Sequence, residues 1–291
     1  MDTASIVRLV ALDLDGTSLT PGGGLSPGLH PAVRAARERG VSVILATGRM
    51  VQSAARFQQS LDLEPGPMIA CNGALVVRLP EREVWLSAPL DEAAAGILVD
   101  LALAEALVVQ VYVGDELWVS EDSPRVREYV RNNHVPVCVR RAQEMVGWPQ
   151  APIKILVQGE PGKLDRFRRG AEPRLAGYPV RLFKSQADYL EMVDHRVGKG
   201  QALAQVAHRL GIPRSQVMAI GDNENDADML AWAGIGVAMG QSPPAIQRAA
   251  DYVTGPVQQG GAAQAIRHFV LGELSAAIGR GGKLRTPAGP G

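Results

Sequence analysis

Val10-Ala11-Leu12-Asp13-Leu14-Asp15-Gly16-Thr17 is an apolar run that ends abruptly in two carboxylates one residue apart, followed by a glycine. In an extended segment the side chains at i and i+2 lie on one side, so Asp13 and Asp15 can converge on one small volume. Unneutralised acids held that close repel each other. A divalent cation or a shared proton resolves the conflict. An isolated Asp-x-Asp is common in turns, so the pair needs partners elsewhere in the chain before it signifies chemistry.

Four further polar groups recur in the same setting. The run Val41 to Ala46 ends in Thr47-Gly48-Arg49, and a third apolar run ends in Asn72-Gly73. Lys199 opens an apolar-periodic helix after the run Tyr189 to Val193, and Val217 to Ile220 leads into Gly221-Asp222-Asn223-Glu224-Asn225-Asp226. Each group falls at the carboxyl end of an expected strand or at a helix start, the edge where ligands bind in open α/β sheets. Taken singly, each has a plain structural explanation. Thr47-Gly48 reads as a strand-to-helix turn, Lys199 as a solvated helix start, and Asp222-Asn223 as a helix cap. Their ordered recurrence favours a shared site.

The ordered set Asp13-Leu14-Asp15-Gly16-Thr17, Thr47-Gly48-Arg49, Lys199 and Gly221 to Asp226 resembles the haloacid dehalogenase superfamily, and within it the Cof-like, type IIB phosphatases. Gly236-Val237-Ala238-Met239-Gly240 and Ala250-Asp251-Tyr252-Val253-Thr254 extend the likeness. The resemblance implies a doubly wound, Rossmann-like α/β core with a parallel sheet and an inserted α+β cap of the C2 type. Residues 1–82 and 190–271 are assigned to the core and 83–189 to the cap, while 272–291 read as a flexible tail because residues 279 to 291 are rich in Gly and Pro and hold no acid. Alternation of strand and helix signals over residues 7 to 80 agrees with a parallel sheet. The hairpin signal Gly114-Asp115 marks the change of grammar in the middle.

The same resemblance implies Mg2+-dependent hydrolysis of a small phosphate ester. Asp13 would be the nucleophile and Asp15 the general acid and base. The metal would lie among the Asp13 carboxylate, the Asp15 carbonyl and Asp222. Thr47, Gly48, Lys199 and Asn225 would hold the phosphoryl group, with the Leu14 amide and Asn72 as further contacts. Asp226 would orient Lys199 or the metal's waters. A phosphomutase on the same core, or a non-catalytic sensor of phosphorylated ligands, are the competing readings. Dehalogenation is disfavoured by Asp15.

Composition narrows the partners. Thirty basic and thirty acidic residues give no net charge, which speaks against a broad nucleic-acid footprint. No leader pattern and no apolar stretch near 18 residues is visible, so membrane insertion is not expected. Cys71 and Cys138 form no metal spacing, and a reducing, cytoplasmic setting fits. Oligomeric state is left open.

Overall fold

Leu9–Leu12 forms the first strand, β1, and all four of its apolar side chains are buried, as a sheet covered on both faces requires. In the computed structural model, which describes residues 7–114, 116–273 and 278–282, β1 leads to α1 (Leu29–Glu38), β2 (Ser42–Ala46), α2 (Val51–Ser60) and β3 (Gly66–Ala70). Next come β4 (Leu75–Leu79), β5 (Glu83–Ser87), α3 (Glu92–Ala104), β6 (Val108–Val113), β7 (Glu116–Val119), α4 (Pro124–Asn133) and β8 (Val137–Val139). The chain continues through β9 (Lys154–Gln158), α5 (Pro161–Ala171), β10 (Val180–Gln186), β11 (Tyr189–Asp194) and α6 (Lys199–Arg209). It closes with β12 (Val217–Gly221), α7 (Ala227–Trp232), β13 (Ile235–Ala238), β14 (Tyr252–Val253) and β15 (Gly279–Arg280).

These elements fall into two compact units. The first holds the described residues up to Ala46, Gln58–Leu63 and those from Lys199 onward; the second holds Thr47–Phe57 and Glu64–Gly198. In the first unit the strand order is β15-β14-β13-β12-β1-β2, parallel apart from β15. Leu12 of β1 lies in register with Ile220 on one side and Leu45 on the other. The chain runs outward from β1 to β2, then returns on the opposite side at β12. Strand order therefore reverses beside β1, which makes the carboxyl ends of β1 and β12 a ligand-binding switch point. Helix α1 buries Leu29, Ala32, Val33 and Ala36, the i, i+3, i+4, i+7 stripe of an amphipathic helix. It ends at Gly40, whose φ of 79° suits a residue without a Cβ.

The second unit carries an antiparallel run β3-β4-β5 and a six-stranded sheet ordered β10-β11-β9-β6-β7-β8. The expected hairpin at Gly114 joins β6 and β7 antiparallel. Asp91 caps α3 by accepting the Ala94 N–H at 3.0 Å. Leu98, Val109, Val111, Ile155, Val157 and Phe167 share one apolar cluster of this unit. Val108, Tyr112 and Leu156, the alternate positions of β6 and β9, join Met50 and Tyr129 in another.

One sequence expectation is corrected. The parallel reading of residues 7 to 80 fails at β3 and β4, which pair antiparallel. Only a single turn, Cys71–Gly73, and Ala74 separate them, far short of a parallel crossover. Residue 82, the expected end of the first core segment, falls in the turn between β4 and β5. Within the tail expected from residue 272, Gly279–Arg280 pairs with Tyr252–Val253. Residues 274–277 and 283–291 of that tail lie outside the described residues. Among the described residues no helix is long and apolar enough to cross a membrane.

Candidate active site

Asp13 is the first residue beyond β1, and its N–H donates to the Ile220 carbonyl of β12 at 3.0 Å. The chain then coils tightly. The Leu14 carbonyl accepts from the amides of Thr17, Ser18 and Leu19 at 3.3, 3.0 and 2.8 Å. Ser18 Oγ donates back to the Asp13 carbonyl at 2.5 Å. The coil requires a positive φ at Gly16, 86°, and a Cβ there would lie 2.4 Å from Asp222 Oδ2. Glycine is needed here for both reasons.

Asp222 follows β12 and accepts from Thr17 Oγ1 at 3.1 Å. Lys199, the fully buried first residue of α6, donates to Asp13 Oδ1 and to Asp226 Oδ1, each at 2.6 Å. The second Asp226 oxygen accepts the backbone N–H groups of Asp222 and Asn223 at 2.9 and 3.1 Å. Both oxygens of Asp226 are thus committed to protein donors. One side chain fixes the lysine and the turn that presents Asp222.

One oxygen from each of Asp13, Asp222 and Asp226 can be chosen so that all lie within 4.8 Å of one another. Three carboxylates thus face one ammonium. Burial, then the Asp226 charge, raises the Asp13 carboxyl well above the ordinary range, although Lys199 opposes this. Burial and Asp226 likewise push Asp222 up to about 7, against the pull of Thr17 and Lys199. For Lys199, burial works to remove the proton, but Asp13 and Asp226 outweigh it and hold the ammonium above the usual lysine range. The excess negative charge and the all-oxygen donor set fit a hard divalent cation.

The acids whose oxygens gather here are Asp13, Asp222 and Asp226, and the Asp15 charge also acts to raise the Asp13 carboxyl. Asp15 sits exposed in the loop, bridged to Leu19. Asn225 is half-buried in the single turn Glu224–Asp226, and Leu14 is fully buried, leaving its backbone as its polar contribution.

Thr47, Gly48 and Asn72 come together in the second unit. Thr47 is the residue after the end of β2; its N–H donates to Ile69 and its carbonyl accepts from Asn72. Thr47 Oγ1 accepts the Arg49 N–H at 3.1 Å. Asn72 has a left-handed φ of 56°, and a Cβ on Gly48 would lie 2.9 Å from its Oδ1. Read from sequence as a substrate contact, Asn72 is buried and donates to Glu191 Oε2 at 2.8 Å. Arg49 lies over the Phe57 ring and donates to Ser53.

Several residues bound to this machinery were not among the expected site residues. Gln241 donates to the Gly16 carbonyl at 2.6 Å and accepts the Val257 N–H. Lys154 and Glu191 form a buried ion pair at 3.0 Å beside Gly48. Their one available signal was charge inside an apolar strand: Lys154 opens Lys-Ile-Leu-Val, and Glu191 interrupts Tyr-Leu-Glu-Met-Val.

Comparison with known proteins gives the family of the chain. The family model for haloacid dehalogenase-like hydrolases matches residues 10–266, so the chain belongs to that family of hydrolases. The putative phosphatase YxeH of Bacillus subtilis (strain 168) is 31% identical over 268 residues, covering 91% of this chain and 98% of the relative. The pyridoxal phosphate phosphatase YbhA of Escherichia coli (strain K12) is 29% identical, over 85% of this chain and 93% of its own. Among solved structures, a haloacid dehalogenase-like hydrolase from Bacteroides thetaiotaomicron superposes with a TM-score of 0.82 at 27% identity, covering 90% of this chain and 99% of that one.

Proposed function

We propose that this hydrolase is a Mg2+-dependent phosphatase of small phosphorylated metabolites, such as sugar phosphates, working through an aspartyl-phosphate. The observation that carries the reading is the Lys199 ammonium held 2.6 Å from Asp13 Oδ1 at the carboxyl end of β1. A buried cation bound to an acid favours its ionised form against the pull of burial and can neutralise an incoming phosphoryl oxygen.

In this account an Asp13 oxygen attacks phosphorus in line, and the P–O bond to the alcohol breaks. Asp15, exposed and two residues on, gives its proton to the departing alkoxide. Water then attacks phosphorus and yields its proton to Asp15 while the bond to Asp13 breaks. Inorganic phosphate leaves, and both aspartates return to their starting states. Thr47 Oγ1 and the Gly48 amide bind phosphoryl oxygens, and Lys199 balances their charge. Asp226 holds Lys199 and the turn carrying Asp222 in place. Asp13, the Asp15 carbonyl and Asp222 would hold the Mg2+, whose charge would neutralise the carboxylates and the phosphoryl oxygens.

The name of YbhA supports a small phosphorylated metabolite as the substrate class. The free thiols Cys71 and Cys138 suit a reducing cytoplasm. Hydrolysis of p-nitrophenyl phosphate tests the reading with Mg2+, with EDTA, and with Asp13→Asn. Turnover that needs the cation and disappears in the variant supports it. Turnover indifferent to Asp13 sinks it.

A further inference from the structure

Lys154 and Glu191 lie 2% and 4% exposed in the second unit, on the adjacent strands β9 and β11, with Nζ and Oε2 3.0 Å apart. Burying an ion pair costs desolvation of both charges, and well-packed apolar residues commonly serve stability as well or better. Stability alone is therefore a poor reason for this pair. Its contacts suggest another. Lys154 Nζ also donates to the Gly48 carbonyl at 3.0 Å and sits 4.4 Å from the centre of the Tyr112 ring. Glu191 Oε2 accepts from Asn72 Nδ2, whose amide fills the space that a Cβ on Gly48 would need.

We propose that Lys154 and Glu191 are positioning residues for phosphate binding, acting on Thr47 through the Gly48–Arg49 peptide. This rests on the phosphatase reading, in which Thr47 and Gly48 hold the phosphoryl group. The path runs atom by atom. Lys154 grips the carbonyl end of that peptide, and the Arg49 N–H at its other end donates to Thr47 Oγ1. A peptide is rigid and planar, so fixing its carbonyl fixes the direction of its N–H. Charge on the acceptor side also polarises the peptide and strengthens that donor. With Arg49 donating to the hydroxyl oxygen, the Thr47 O–H is directed away from Arg49 as a donor to an anion. Glu191 keeps Lys154 charged: burial works to lower the ammonium, and Glu191, with Tyr129 and Cys71, raises it overall. Through Asn72 the same carboxylate closes the side of Gly48.

The test replaces both charges at nearly constant volume, K154M/E191Q, so that no buried charge is stranded. Mg2+-dependent hydrolysis of p-nitrophenyl phosphate and inhibition by inorganic phosphate are measured beside a thermal melt. KM and the phosphate inhibition constant should rise together by about tenfold, the scale of one charge-assisted hydrogen bond. The Mg2+ activation midpoint should stay put, because Asp13 and Asp222 belong to the other unit. In a Thr47→Val background the same double replacement should add less than about twofold, since its target is gone. A folded variant with unchanged KM and inhibition constant overturns the proposal, as does full additivity with Thr47→Val. If the Met variant unfolds, K154Q/E191Q keeps hydrogen-bonding amides along the same path and is held to the same outcomes. Absence of wild-type turnover counts against the phosphatase reading instead. Calorimetric binding of inorganic phosphate to wild type and variant then decides the positioning role, and equal binding, or none to either, rejects it.

Discussion

Lys199 Nζ and Asp226 Oδ1 lie 2.6 Å apart, both buried, although 27 residues separate them in the chain. The second Asp226 oxygen accepts two N–H donors, from Asp222 and Asn223. An amide at this position cannot accept on both sides: its NH2 must meet either the ammonium or the two N–H groups. Asp226→Asn should therefore destabilise the protein by about 3 kcal/mol or more, the scale for stranding a buried charge. Turnover should fall by about two orders of magnitude, because Lys199 and Asp222 lose their common support. Denaturant melts and steady-state kinetics check both. A variant as stable and active as wild type contradicts this role.

Cation and pH should be coupled at Asp222. Its carboxyl is pushed up to about 7, first by burial and then by Asp226, against about 3.9 in an unfolded chain. Between those values the native state holds a proton that the unfolded state has lost. This group's contribution to stability is therefore complete below about pH 4 and is lost as pH rises through about 7. Without a divalent cation, Tm should drop by roughly 5 °C from pH 5 to pH 7.5. Mg2+ should recover most of the loss at pH 7.5 and do little at pH 5, where protons compete for the same oxygens. Asp222→Asn should flatten the slope and abolish the Mg2+ response.

Gly16 is a steric keystone. Its φ is 86°, and a Cβ would press on Asp222 Oδ2 at 2.4 Å. Gly16→Ala should weaken Mg2+ binding by at least about tenfold while leaving every charged residue in place. Titration calorimetry of Mg2+ into wild type and variant reads this directly. Equal affinities would mean that the loop has room to move.

The thiol of Cys71 should be inert in the folded protein. Burial, with a further push from Glu191 and opposition from Lys154, raises it to about 11. Iodoacetamide at pH 8.5 should modify the half-buried Cys138 and spare Cys71 until denaturant is added. The stability from keeping Cys71 protonated is present below about pH 8.5 and is lost as pH rises through about 11. Cys71→Ala should therefore show the shallower alkaline decline in a melt series.

Much of this arrangement was legible in the chain because its parts are local. Asp13 and Asp222 each end an apolar run, and Lys199 opens a helix, so the strand and helix signals mark them as residues of one sheet edge. The Asp226–Lys199 contact was one of two roles that the resemblance implied for Asp226, and the bond itself depends on how a single turn folds back over α6. The relation of Asp15 to Asp13 was less legible, because the i, i+2 rule holds for extended backbone, and at Leu14 the chain coils, with three amides turned onto one carbonyl. Lys154 and Glu191 were hidden more deeply, and with them the bond to Asn72, a residue that its place at the end of an apolar run had singled out. Their meeting needs the pairing of β9 with β11 and the left-handed turn after β3, and no spacing along the chain encodes either.

Borohydride trapping during turnover tests the central claim that Asp13 carries the phosphoryl group. With p-nitrophenyl phosphate and Mg2+ present, reduction of an acyl phosphate should convert Asp13 to homoserine, read by mass spectrometry of the peptide that contains it. Homoserine at position 13, and none when substrate is omitted, is the predicted result. Sustained turnover with Asp13 unreduced and another residue labelled would contradict the account.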